Sequence, residues 1–402
     1  MVKVTKVNIN YNKCVSCGFC ETTIACANPA NCVGCLACYW GCPYEAREIV
    51  YVNVDKYVRI EVNGVEYEVP EGITVAKALE IIGLPLNPPG SRNPSLACGT
   101  GGCWACAILI NGEFRRACIT PVREGQKISL NIRGYVPRRI VHGPAPHTVG
   151  GKATPWWEVD YLHYVEAAMW LAGCNLRCLQ CQNFEVTYDG KGRALTPEEA
   201  AKEIVLCHRE YGTKGIAVSG GEPTLNRNWL IMFFKEVTRR VHGKVRRHLD
   251  SNGTLLTPDY IDELVEAGCN NIGVEPKCVS VETYMKITGL KDRSLAEKYL
   301  NTAWKAIEYL NENYLDKVYI GIGLVYNREL VTLDEIAKAG EKIASINPYL
   351  QVTVLDYFPA FRRRTLKRPS PTEMIKVKKI LENAGLKTVI VQTSIGHIGP
   401  GK

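Results

Sequence analysis

From Tyr161 onward the chain alternates strand-like runs with amphipathic stretches. The runs are Leu162–Leu171, Gly215–Ser219, Arg246–Asp250, Asn271–Glu275, Lys317–Leu324 and Gln351–Tyr357, with Thr388–Gln392 as a seventh. Helices are expected between them, and several have legible starts. Thr196-Pro197-Glu198-Glu199 and Thr332-Leu333-Asp334-Glu335 read as capping boxes, and Thr257-Pro258 puts proline at the first helical position. Repeated strand–helix units predict an α/β fold with a parallel sheet, closed or partly closed, whose chemistry lies at the C-terminal ends of its strands.

The pattern before Tyr161 is different. Residues 1–55 hold two strand-like runs, Lys3–Asn10 and Glu48–Val54, around a cysteine-dense middle too short to build an apolar core. Metals or cross-links must organise such a segment. Residues 56–132 open with VRIEVNGVEYEV, an alternating pattern that predicts a hairpin turned at Asn63-Gly64. A short helix over Thr74–Ile82, a cysteine loop and the apolar run AILI follow. Residues 133–160 hold Pro137, Pro144, Pro146, Gly150, Gly151 and Pro155 without sustained periodicity and read as a linker. Residues 161–402 form the strand–helix domain.

Composition narrows the chemistry. The chain has 402 residues, 46% of them hydrophobic, and 18 cysteines. No run reaches the roughly 18 apolar residues of a membrane span, and the first residues lack the apolar core of a signal peptide, so a cytoplasmic location is expected. In that reducing setting, cysteines in tight groups point to metal ligation rather than disulfides. A net charge of +8 is a mild basic excess, suited to an acidic partner or anionic substrate. It does not point to dedicated nucleic-acid binding, and no membrane partner is expected.

The first group comprises Cys14, Cys17, Cys20 and Cys26, the second Cys32, Cys35, Cys38 and Cys42, followed by Pro43. The second has the CxxCxxCxxxCP spacing of bacterial ferredoxins, and the block resembles a two-cluster 4Fe–4S ferredoxin. That resemblance implies that Cys14, Cys17, Cys20 and Cys42 hold one cube and Cys32, Cys35, Cys38 and Cys26 the other. The first group has five residues before its last cysteine where the family has three, and only residues 27–31 separate the groups. Structural zinc is the alternative. In the next block, Cys98, Cys103, Cys106 and Cys118 follow the order of plant-type 2Fe–2S proteins, with Gly99, Gly101 and Gly102 allowing a tight loop. Hairpin, helix and cysteine loop together resemble the β-grasp ferredoxin domain.

Cys174, Cys178 and Cys181 stand apart as a triplet, CNLRCLQC. An iron–sulfur cube has four irons, so three cysteines leave one without a protein ligand. CxxxCxxC after the first strand of a strand–helix barrel resembles the radical S-adenosylmethionine enzymes, which implies a partial (β/α)6 barrel and reductive cleavage of that cofactor to a 5′-deoxyadenosyl radical. Ser219-Gly220-Gly221-Glu222-Pro223 resembles the family's GGEP motif, which receives the cofactor's methionyl ammonium. Asp250-Ser251-Asn252-Gly253 and Glu275-Pro276-Lys277 resemble the D-T-N-G and D-L-K of glycyl radical enzyme activases. The resemblance implies that Asp250, Asn252, Glu275 and Lys277 border the cofactor, the two acidic residues beside a monovalent cation, and that Phe184 borders the adenine. No histidine stands near LDYFPAF, where related enzymes often have one.

Cys207 and Cys269 read as core residues, and Cys278 as core or as a substrate contact at the barrel mouth. The basic run Arg362-Arg363-Arg364 with Lys367 and Arg368 reads as a solvated loop or a docking element, and His397 as part of a mobile tail. The resulting expectation is a radical S-adenosylmethionine enzyme with three 4Fe–4S clusters and one 2Fe–2S cluster, fed by an external ferredoxin or reductase and activating a glycyl radical enzyme. Radical modification of a small molecule, peptide or RNA is the alternative. An electron-transfer subunit without catalysis and a cluster used as sulfur donor are lesser ones.

Overall fold

The structure is a computed structural model that describes residues 2–26 and 31–401; most of the short connection between the first two cysteine groups lies outside the described residues. Strands β1 (Val2–Ile9) and β2 (Arg47–Val54) pair antiparallel in full register, Val2 opposite Val54 and Ile9 opposite Arg47, and enclose the first two cysteine groups. The second block is a five-stranded sheet in the order β4-β3-β7-β5-β6, built from β3 (Tyr57–Val62), β4 (Val65–Pro70), β5 (Ala107–Ile110), β6 (Glu113–Arg116) and β7 (Gln126–Ser129). The expected hairpin turns at Asn63 and Gly64, both at positive φ as a tight two-residue turn requires. The helix Val75–Ile81 is capped by Thr74 and buries Val75, Ala76, Ala78 and Leu79 against the sheet.

The third block is one ten-stranded open sheet. Seven strands run parallel: β9 (Glu166–Leu171), β11 (Gly215–Gly220), β12 (Arg246–Ser251), β13 (Asn271–Lys277), β14 (Tyr319–Tyr326), β15 (Gln351–Asp356) and β16 (Thr388–Thr393). Antiparallel β8 (Arg139–His147) and β10 (Ala194–Leu195) extend one edge, and β17 (Gly396–Ile398) the other. The outer strands do not pair with each other, so this α/β barrel is partial. The capping box at Thr196 is formed in full, and Thr332 caps the helix Leu333–Ile346. Among the described residues no helix is long and apolar enough to cross a membrane.

Residues 133–160 differ from the linker expected. Arg139–His147 is a nine-residue strand paired with β9, and Gly150–Thr154 runs into the barrel. Prolines are tolerated at 144 and 146 because β10 covers only Ile140 and Arg139, leaving that part of the strand with one bare edge. The C-terminal segment is likewise ordered: His397 pairs with Gln392, and the Trp156 indole donates to the Pro400 carbonyl at 3.1 Å.

The basic run after β15 joins modules. Arg362 donates to the carbonyls of Tyr39 (2.6 Å), Trp40 (3.0 Å) and Cys42 (3.0 Å), at the end of the short helix Ala37–Gly41. Beside it Phe361 stacks on Tyr188 and Phe184, and this aromatic group packs with Phe19, Ile24 and Ala37 of the first block. Arg362→Ala removes three charge-assisted bonds from a side chain only 9% exposed. It is expected to destabilise the junction by about 1–3 kcal/mol, read as faster limited proteolysis between the first block and the barrel.

Candidate functional site

One pocket opens at the C-terminal ends of the barrel strands. Cys174, Cys178 and Cys181 line it together with Ser219, Gly220 and Gly221 at the end of β11, Asp250, Ser251 and Asn252 at the end of β12, and Glu275 and Lys277 of β13. The pocket therefore gathers the triplet and three further motifs that are scattered over more than a hundred residues of sequence. Burial raises all three thiols, Cys181 to about 11, so without iron they stay protonated and cluster assembly must displace their protons. The backbone N–H of Leu176 points at Cys174 Sγ (3.4 Å), and Asn252 Nδ2 lies 3.8 Å from the same sulfur.

The glycine pair serves the scaffold as well as the pocket. Gly220 has φ of 115°, and a β-carbon there would collide with the backbone of Leu171; at Gly221 it would meet the Gly173 carbonyl. Their absence lets Gly221 N and Glu222 N donate to the carbonyls of Leu171 (2.9 Å) and Gly173 (2.8 Å). Glu222 is fully buried and does not line the pocket. Its carboxylate accepts from Thr224 N, Thr224 Oγ1, Ser251 Oγ and Asn252 N at 2.6–3.0 Å, tying the end of β11 to the end of β12. Pro223 is likewise buried and does not line the pocket. Phe184 also stays outside, in the aromatic junction, and Cys278 turns its thiol to the Ser280 carbonyl (3.5 Å). Cys207 and Cys269 are buried core residues.

Two polar residues that the motif reading missed also line the pocket. Gln180, between Cys178 and Cys181, is 1% exposed, lines the pocket, and has no hydrogen-bond partner on either amide atom. An orphaned buried amide is costly, so a partner from outside the protein, water or ligand, would satisfy it. Lys152 is the other. Its Nζ lies 3.1 Å from Glu275 Oε2 and 3.7 Å from Asp250 Oδ2, and its N–H donates to Asp250 Oδ1 at 3.2 Å. Lys277 pairs with Glu275 from the other side; it sits at φ 72°, after a register shift that follows Val274 and spans Pro276. Burial opposes every one of these charges, yet mutual attraction prevails, so both lysines are raised and both carboxyls lowered.

Below the pocket the same network continues through His248, fully buried between Glu166 (2.9 Å) and Asp250 (3.1 Å). Burial favours the neutral ring, but the two carboxylates outweigh it and lift the imidazole to about 10. A pKa raised on folding stabilises most below the unfolded value near 6.5, fades as pH climbs, and is spent above about 10. Stability is therefore expected to fall between those limits, and His248→Gln to flatten that slope, measured by urea unfolding across the range.

The four cysteines of the second block are all buried, with Cys98 beside Cys103 and Cys106 beside Cys118. Their loop abuts the triplet: Cys98 and Cys103 fill the space left by the missing side chain of Gly173, and Arg177 joins the carbonyls of Cys98 (2.7 Å) and Cys174 (2.8 Å) while lying over Trp40. In the first block Cys26 and Cys32 lie within electrostatic reach of Cys35 and Cys38, and Arg47 donates to Cys20 Sγ (2.9 Å) close to Cys42. Burial, with a smaller push from these neighbours, raises Cys35 to about 11 and Cys38 to about 12. Among the described residues no three His, Cys, Asp or Glu side chains converge on a single-ion site.

Residues 170–340 match the model of the radical SAM superfamily, and residues 55–131 that of a 2Fe-2S iron-sulfur cluster binding domain. The barrel is a radical SAM domain. Similar proteins include a probable GTP 3′,8-cyclase of Thermoplasma volcanium, 31% identical over 179 residues, covering 44% of this chain and 50% of the relative. A putative glycyl-radical enzyme activating enzyme of Methanocaldococcus jannaschii is 25% identical over 239 residues, 58% of this chain and 92% of the relative. The chain thus spans half the length of the first and most of the second. Among solved structures, the FeFe-hydrogenase maturase of Carboxydothermus hydrogenoformans superposes with a TM-score of 0.42 at 18% identity, over 55% of this chain and 51% of that one. The radical SAM domain here is preceded by an iron–sulfur ferredoxin domain, and its pocket contains the triplet, the glycine pair and the polar strand ends together.

Proposed function

We propose that S-adenosylmethionine, held at a 4Fe–4S cluster on Cys174, Cys178 and Cys181, supplies a 5′-deoxyadenosyl radical that removes hydrogen from a glycyl residue of a partner protein. The observation carrying this reading is the convergence of the triplet with Ser219–Gly221, Asp250, Asn252, Glu275 and Lys277 on one pocket. Three thiolates satisfy three corners of a cube and leave one iron for a small-molecule ligand. Asn252 and the N–H of Leu176 approach Cys174 Sγ, where such donors tune cluster potential. Gln180 offers an unpaired donor and acceptor. Lys152 and Lys277 offer ammonium groups held in place by Asp250 and Glu275.

In this reading Cys98, Cys103, Cys106 and Cys118 hold the 2Fe–2S cluster, and Cys14, Cys17, Cys20 and Cys42, with Cys26, Cys32, Cys35 and Cys38, hold two cubes. Contact of Cys98 and Cys103 with Gly173, beside Cys174, supports a relay into the triplet. An external ferredoxin or reductase charges it, in the reducing cytoplasm. The similarity to a glycyl-radical enzyme activating enzyme over 92% of that relative favours a protein substrate. The similarity to a GTP 3′,8-cyclase favours the second reading, radical chemistry on a small molecule.

Anaerobically reconstituted protein given dithionite and S-adenosylmethionine is expected to form 5′-deoxyadenosine. Protein with full iron and sulfide that forms none would overturn the proposal. A glycyl radical detected by paramagnetic resonance in an added partner protein separates the first substrate class from the second.

A further inference from the structure

The segment before the first barrel strand delivers a lysine to the space between two buried carboxylates. Gly151 N donates to Glu166 Oε2 (3.1 Å), Asn271 Nδ2 to the Ala153 carbonyl (2.7 Å), and Gln351 Nε2 to the carbonyls of Lys152 (2.9 Å) and Thr154 (2.8 Å). Room for it is carved from the inner face of the sheet. At Gly273, Gly321 and Gly323 of β13 and β14, a β-carbon would strike Asp250, Lys152 or Ala153. These three glycines and four hydrogen bonds fix Lys152 where its Nζ reaches Asp250 and Glu275 together.

The charges around it balance. At the pocket, Asp250 and Glu275 supply two carboxylates and Lys152 and Lys277 two ammonium groups, while Glu166 is paired with the His248 ring at 2.9 Å. A metal cation between Asp250 and Glu275 would add a charge with no counterion and would contend with Lys152 for the same oxygens.

We propose that the ammonium of Lys152 is a built-in monovalent cation of this pocket, replacing an alkali-metal ion between Asp250 and Glu275 and presenting a donor to an anionic group of the bound ligand. The monovalent cation expected from the activase resemblance then has no place in this chain. The ligand part rests on the pocket being the S-adenosylmethionine site; the cation part does not.

The test compares reconstituted wild type with Lys152→Met in potassium and in tetramethylammonium chloride at equal ionic strength. Wild type is expected to bind no stoichiometric thallium(I), read by dialysis, and to melt at the same temperature in both salts. Lys152→Met, left with one uncompensated carboxylate, is expected to take up one thallium ion and to melt higher in potassium. Its S-adenosylmethionine affinity, measured by equilibrium dialysis, should drop about 10- to 100-fold in tetramethylammonium and recover in potassium. One thallium ion bound by wild type, or a folded variant indifferent to both salts and of wild-type affinity, would overturn the proposal. Should the variant not fold, the wild-type thallium and melting measurements decide alone. If wild type fails to bind S-adenosylmethionine at all, the functional reading fails while the thallium and melting arms still report on Lys152.

Discussion

Cys178→Ala is expected to abolish 5′-deoxyadenosine formation, a loss of at least about a thousandfold, while the iron of the first two blocks is retained. The reasoning is one of ligand count. Cys174, Cys178 and Cys181 are the cysteines that line the pocket, so the sequence has no spare thiol there to replace one that is lost. The substitution is structurally mild. Cys178 sits on a loop supported by its neighbours: Arg177 N donates to the Thr288 carbonyl (3.0 Å), and the Arg177 guanidinium holds Cys174 and Cys98. Alanine keeps those bonds. Iron and sulfide analysis beside the 2Fe–2S absorbance should show loss of one cube only, and wild-type product yield from the variant would contradict the assignment of the triplet.

Local chemistry was legible in the sequence, and long-range packing was not. Asn63-Gly64 and Thr196 each specify a turn or cap through contacts within a few residues and form as expected, whereas at Thr332 only the hydroxyl half of the expected box forms, because the Glu335 carboxylate accepts from Val279 N and Ser280 instead. The parallel strands were readable because short apolar runs such as Gly215–Ser219 and Lys317–Leu324 alternate with helices whose caps are marked in the sequence. The strand Arg139–His147 was hidden because its pairing depends on a neighbour across the sheet, and its prolines are those of a half-bare edge. The same gap explains Lys152. Nothing within its own Gly150–Thr154 stretch announces the carboxylates it meets roughly a hundred residues further along. Cysteine spacing and strand-end motifs identify the pocket, but spacing cannot tell a lining residue from its support. Glu222 carries the motif and spends its carboxylate on the turn, whereas Gln180, flanked by two cysteines, faces the pocket without a partner.

Arg139→Met is expected to destabilise the protein by roughly 3 kcal/mol or more, and to weaken the 2Fe–2S site and the pocket together. The side chain is completely buried. Its guanidinium donates to the carbonyls of Ala172 (2.9 Å), Glu222 (2.6 Å) and Pro223 (2.5 Å), so one cation holds the chain just before the triplet and the turn after β11. Burial lowers its pKa, an effect opposed chiefly by Cys103 and Glu222. A filled cluster site, with its thiolates ionised, is then the counterion that this arginine needs. Methionine matches much of the volume but takes the guanidinium away from the Ala172, Glu222 and Pro223 carbonyls, leaving Glu222 only the long bond from Leu225 N (3.5 Å), and removes the charge. A drop in melting temperature of about 6–12 °C should accompany reduced 2Fe–2S content, since a loss of 1 kcal/mol is worth roughly 2–4 °C in domains of this size. The link between the two sites has its own readout. If Arg139 merely filled space, reconstitution with excess iron and sulfide would restore both cluster content and S-adenosylmethionine affinity; if it braces the turn, cluster content recovers in part and affinity stays low.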